Sequence, residues 1–129
     1  MKVRLTADML RIRLDQTDVD ALSSSGTVAL TLPLADAALR CTLRVDAAAD
    51  ALSASFAKNT ITVTLPADRA TRWMSSDTIS LEGQVDTDGA TTRLLVEKDL
   101  GCRHTDDEPD ATPDRMFDHL RNEPRTEST

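Results

Sequence analysis

The chain has 129 residues, with 15 Lys and Arg against 22 Asp and Glu, a net charge of −7, and only Phe56, Trp73 and Phe117 as aromatic side chains. That length suits one domain with one modest core. The acidic balance excludes a general nucleic-acid binder, which needs a basic excess, and so few aromatics exclude a base-stacking platform.

Period-two alternation, the pattern of half-buried strands, dominates the chain. Val3 and Leu5 alternate with Lys2 and Arg4. After a turn at Ala7-Asp8, Leu10, Ile12 and Leu14 alternate with Arg11 and Arg13. A short helix is predicted over about Asp18 to Ser24. Thr17 and Asp20 form its capping box, Gly26 ends it, and Val19 and Leu22 face the sheet. Val28, Leu30 and Leu32 mark a third strand. Leu39, Cys41, Leu43 and Val45, alternating with Arg40, Thr42 and Arg44, mark a fourth. An Ala/Asp-rich link runs from Asp46 to Asp50.

Leu52, Ala54 and Phe56 open the second half, and Lys58-Asn59 is a hairpin turn leading to Ile61, Val63 and Leu65. A second helix starts near Pro66 and shows Ala70, Trp73 and Met74 on its apolar side. Ile79 and Leu81, an Asp86–Gly89 turn, then Leu94 and Val96 complete eight strands. After Cys102 the composition changes. Residues 1–102 carry 11 basic and 14 acidic side chains, residues 103–129 carry 4 and 8, and Pro109, Pro113 and Pro124 interrupt the latter. The reading is a β-rich domain over 1–102 and an acidic, disordered tail over 103–129. Met116, Phe117 and Leu120 offer that tail one short amphipathic face.

The halves match each other at an offset of 51 residues without a gap. Leu14/Leu65, Ser24/Ser75, Ser25/Ser76, Thr27/Thr78, Leu30/Leu81, Leu43/Leu94 and Val45/Val96 are identical, and Leu5/Phe56, Ile12/Val63 and Leu22/Trp73 keep apolar on apolar. The fold expected from this is α+β and mainly β. It is an eight-stranded antiparallel barrel-like sheet with two short helices, made by internal duplication of units 1–51 and 52–102, and closure would remove exposed edges.

Two resemblances follow from these residues. Met1-Lys2-Val3-Arg4-Leu5, Leu10-Arg11-Ile12-Arg13-Leu14 and Val96-Glu97-Lys98-Asp99-Leu100-Gly101-Cys102 resemble an uncharacterised family of small bacterial proteins of unknown function. In element order the chain is also similar to the CYTH-type triphosphate tunnel phosphohydrolases, which implies an enzyme acting on a triphosphate-type substrate. The opening strand of those enzymes is E-x-E-x-K, whose glutamates hold a divalent metal, whereas this chain reads Lys2-Val3-Arg4-Leu5.

The candidate ligand-binding residues are Lys2, Arg4, Arg11, Arg13, Arg40 and Arg44, which share the polar faces of first-half strands. At an offset of 51 the second half has Ser53, Ser55, Thr62, Thr64, Thr91 and Leu95 there. Arginine forks match phosphate and carboxylate groups, so the partner implied is a small anionic ligand. Glu97, Lys98 and Asp99 read as a charged strand end with a local ion pair. Cys102, His104, Asp106 and Asp107 offer one cluster of metal donors, where structural zinc takes ligands from two. Cys41 reads as an inert core thiol, and its pairing with Cys102 is left open. Both histidines, His104 and His119, lie in the tail, so no nucleophilic triad is supported, and no Gly-rich phosphate loop exists. The expectation is a non-catalytic binding or interaction protein with no metal site and no cofactor. No stretch reaches the ~18 apolar residues of a membrane helix, and the N-terminus has no apolar signal region. A cytoplasmic location, no membrane partner and homodimerisation as an open option complete the reading.

Overall fold

The computed structural model of the chain describes residues 1–99. Eight strands and two helices follow the expected order: β1 (Lys2–Leu5), β2 (Met9–Leu14), α1 (Gln16–Ser25), β3 (Thr27–Pro33), β4 (Ala38–Asp46), β5 (Ser53–Ala57), β6 (Thr60–Pro66), α2 (Ala67–Met74), β7 (Ser80–Thr87) and β8 (Ala90–Lys98). The tail expected over 103–129, its short amphipathic segment, Cys102 and the His104 cluster lie outside the described residues.

The closed antiparallel barrel does not form. The strands make two open four-stranded mixed sheets, ordered β1-β2-β8-β7 and β3-β4-β6-β5. In the centre of each, β2 pairs parallel with β8 and β4 pairs parallel with β6. The cause is the route of the chain. Each helix carries it from one sheet to the other, so a sheet combines the first hairpin of one half with the last hairpin of the other. Alternation reports which face a residue takes, and it is silent about which sheet its strand joins.

Local chemistry accounts for the elements. The N-cap of α1 is Asp15 rather than Thr17: its carboxylate accepts from the Asp18 N–H at 2.8 Å while Asp18 accepts from the Asp15 N–H at 3.1 Å. Burial alone pushes the Asp18 carboxyl up, but hydrogen bonds and charge from the Met1 ammonium 2.7 Å away, with the Asp15 N–H, bring it below its ordinary value. Gly26 closes the helix at φ 82°, in the left-handed region, with its N–H bonded to the Leu22 carbonyl. Lys58 and Asn59 both take positive φ, 52° and 62°, as a two-residue hairpin turn requires.

The apolar faces of both sheets and the inner sides of both helices share one core. Leu14, Leu43, Leu65 and Ala70 are 0% exposed, and Trp73, Leu22, Ile12, Val63 and Val96 are nearly so. The buried side chains are all apolar among the described residues. Trp73 satisfies its one polar atom by donating Nε1–H to the Ile79 carbonyl at 2.9 Å. Burial also pushes the Cys41 thiol up, away from the reactive thiolate.

The two halves repeat strand order and pairing, but not at one offset. Lys2↔Arg13 corresponds to Ser53↔Thr64, an offset of 51. Thr27↔Arg44 corresponds to Ser80↔Glu97, an offset of 53. The bond from Val45 N–H to the Gly26 carbonyl reappears as Lys98 N–H to Ile79, again 53 apart. The chain takes up the difference between helix and third strand, where Gly26 alone joins α1 to β3 but residues 75–79 join α2 to β7. Leu43 is therefore equivalent to Val96 rather than Leu94, and Leu30 to Gly83 rather than Leu81.

Candidate functional site

The arginine stripe divides between the sheets. On β1 and β2 the antiparallel register sets Lys2 opposite Arg13 and Arg4 opposite Arg11. Continuing across the outer face, Arg13 meets Glu97 and then Ser80, while Arg11 meets Leu95 and then Glu82. Four cations thus occupy one corner, where Lys2, Val3, Arg4, Arg11 and Arg13 line a surface hollow of about 230 Å³. Arg40 and Arg44 stand on the outer face of the other sheet. Arg40 lies between Thr31 and Thr60, and Arg44 between Thr27 and Thr64. Arg44 turns to its own strand end, pairing with Asp46 at 2.7 Å.

Glu97 holds the corner together. Its Oε1 accepts from Arg11 Nε at 3.0 Å, lies within ion-pair distance of Arg11 Nη2 at 2.9 Å, and is 3.5 Å from Arg13 Nε. That last contact is one of charge without a hydrogen bond. Arg13 Nε is enclosed, and among the described residues it has no hydrogen-bond acceptor. Lys2 Nζ is 3.6 Å from the Asp99 carboxylate. Arg4 is exposed and has no carboxylate within ion-pair distance among the described residues. Like charges directly opposite one another on a sheet are destabilising, and Glu97 offsets that only for β2.

Sequence reasoning took Glu97 as a strand-end charge with a local partner, and missed that a parallel β2–β8 pairing sets it beside arginines 84 and 86 positions away. It also missed Arg93, which the register puts beside Met9 and Gln84 on the same outer face. A second hollow of about 430 Å³ adjoins the end of α2, lined by Arg69, Arg72, Trp73, Ser75, Ser76 and Thr78. There Arg69 donates to the Glu82 carbonyl at 3.2 Å. Lys98 Nζ lies 5.6 Å from the centre of the Trp73 ring and donates to the Ser76 carbonyl at 2.6 Å. The helix pattern drew attention to the apolar side alone, and the Arg69–Arg72 spacing of i, i+3 was the signal that could have found this second group. Among the described residues no three His, Cys, Asp or Glu side chains gather as a metal site, and no helix is long and apolar enough to cross a membrane.

Two four-stranded mixed sheets around a shared core, with four cations at one corner, define a small α+β protein whose distinguishing surface is charged. Residues 1–116 match the family described as Family of unknown function (DUF7009), and the chain belongs to that family. No curated protein and no solved structure matches it, the tunnel phosphohydrolases included.

Proposed function

We propose that this chain is a non-catalytic binding protein whose ligand is a small polyanion, carrying phosphate or clustered carboxylate groups, held by Lys2, Arg4, Arg11 and Arg13. The observation that carries the reading is the β1–β2 register, which stacks two pairs of cations directly opposite each other. Such an arrangement lowers stability unless an anion completes it. The hollow of about 230 Å³ is below the volume usual for drug-sized ligands. It suits an anion of pyrophosphate or triphosphate size, and the exposed Arg4 and the partly exposed guanidinium of Arg13 supply donors for it. We also infer that the recurrence of pairing in the two halves reflects an ancestral duplication. After it, one outer face kept hydroxyl groups and the other became basic.

Titration calorimetry with pyrophosphate, triphosphate, sulfate and citrate tests the site. The wild type is expected to bind at least one of these below millimolar Kd, and Arg11→Ala/Arg13→Ala to weaken it by at least about tenfold. Binding no tighter than millimolar, or equal binding by the double variant, overturns the reading.

A further inference from the structure

We propose that the chain forms a twofold dimer in which β3 of one copy pairs antiparallel with β3 of a second copy, joining two four-stranded sheets into one. Among the described residues four strands are sheet edges: β1 and β7 in one sheet, β3 and β5 in the other. An unpaired edge is a template for association, and charged, short or covered edges blunt it. β1 has four residues and carries Lys2 and Arg4. β7 carries Glu82 and Asp86, and its Gly83 lies against Leu52. β5 has five residues and runs into Lys58. β3 has seven residues and no charge anywhere from Thr27 to Ala35. Its apolar side chains are open to solvent, with Leu30 37%, Leu32 51% and the following Leu34 60% exposed.

The free backbone groups can be identified. Val45 N–H bonds to the Gly26 carbonyl, and Leu34 N–H to the Ala37 carbonyl. Both bonds use even-numbered residues on the β3 side, so alternation directs the even positions towards β4. The N–H and C=O groups of Thr27, Ala29 and Thr31 therefore face outward, and Pro33 at the outward position has no N–H to leave unsatisfied. Pairing two copies about Leu30 sets Ala29 against Thr31 and Thr27 against Pro33 as hydrogen-bonded pairs. It sets Leu30 against Leu30, and Val28 against Leu32, on the apolar side. Every residue keeps its face, as an isologous contact demands.

Charge decides for a second copy. Two molecules of net charge −7 repel, and this uncharged strip is where they approach with least cost. By composition residues 103–129 match this strip poorly, with 8 acidic and 4 basic side chains and three prolines against an uncharged, apolar strand.

Sedimentation velocity on the full chain tests the pairing, with Leu32→Lys and Thr31→Pro as variants. Leu32→Lys puts a charge at an already exposed position, and Thr31→Pro removes an outward N–H that no bond within the chain uses. The wild type is expected to dimerise at micromolar concentration and each variant to dimerise at least about tenfold more weakly. Amide exchange at Ala29 and Thr31 slows in the wild-type dimer. Thermal unfolding, measured where all three proteins are monomeric, confirms that the variants fold. A wild type that stays monomeric overturns the proposal. So does dimerisation that both folded variants retain, or a dimer whose Ala29 and Thr31 amides exchange as in the monomer. Anion titration of Leu32→Lys is unchanged in either case, so this pairing and the basic site stand or fall separately.

Discussion

The outer faces of the two sheets occupy equivalent places and carry opposite chemistry. On the β1-β2-β8-β7 sheet the positions read Lys2, Arg4, Arg11 and Arg13, with Glu97 beside them on β8. The equivalent positions of the β3-β4-β6-β5 sheet read Ser53, Ser55, Thr62 and Thr64, with Arg44 in the place of Glu97. Beneath these faces, Ile12, Leu14 and Val96 match Val63, Leu65 and Leu43, all fully buried. Burial restricts the inner positions to apolar side chains of similar volume. Nothing in the packing dictates the outer ones, so four adjacent cations on one face, against Arg40 and Arg44 set apart among threonines on the other, call for a reason outside folding. Among the described residues the basic corner sets Glu97 beside Arg11 and Arg13 and Asp99 beside Lys2, with no carboxylate at Arg4, whereas Arg44 has Asp46 to itself.

If the two sheets are equivalent below their faces, matched core truncations cost the same. Leu14 and Leu65 are both 0% exposed and hold equivalent positions on β2 and β6. Leu14→Ala and Leu65→Ala are each expected to lose about 2–5 kcal/mol in urea unfolding, and to agree within about 1 kcal/mol. A gap above about 2 kcal/mol breaks the equivalence and makes one sheet the stronger partner.

A smaller effect separates the halves where they differ inside. A Cβ built on Gly83 comes 2.8 Å from the Leu52 Cβ, an atom that cannot swing away. Gly83→Ala is expected to cost about 1–3 kcal/mol through overpacking. Leu30, its equivalent in the other half, is 37% exposed. Leu30→Ala costs clearly less than a core truncation, under about 1.5 kcal/mol when measured on the monomer. Equal losses at the two positions would mean that β3 is packed as closely as β7, which contradicts its open apolar side chains.

These contrasts also show what the sequence discloses. All eight strands and both helices were legible, because alternation, the Lys58-Asn59 turn and the Gly26 helix end act within a few residues. The sheets were not, because Glu97 reaches Arg11 only through a parallel pairing across most of the domain, and no local pattern records it. The gapless offset misled for a related reason. The link from α2 to β7 is four residues longer than that from α1 to β3, and α2 is two residues shorter than α1. The net shift of two preserves the period of alternation, so apolar still met apolar while the matches in the third and fourth strands of each half moved by two. With the shift corrected, Arg40 is equivalent to Arg93 and Arg44 to Glu97, and two of the six candidate cations part from the other four.

The finest test of the comparison is Glu97→Gln, which keeps an acceptor near Arg11 and removes the charge. Arg11 and Arg13 have side chains 25% and 41% exposed, so solvent screens these pairs and each is worth about 0–1 kcal/mol. The stability lost is therefore expected to stay below about 1 kcal/mol. The same change removes a negative charge from the edge of the basic hollow. Two charges separated by several ångströms near water interact by about 1 kcal/mol, which predicts roughly three- to tenfold tighter pyrophosphate binding, with the gain shrinking as salt rises. Asp46→Asn is the matched change on the other sheet. It releases Arg44 among threonines, and one cation with no neighbour of like sign gives no measurable anion binding. Equal behaviour of the two variants would erase the difference between the faces. A loss above about 3 kcal/mol in Glu97→Gln would instead make Glu97 a buried strut, with the cations gathered around it for folding rather than for a ligand.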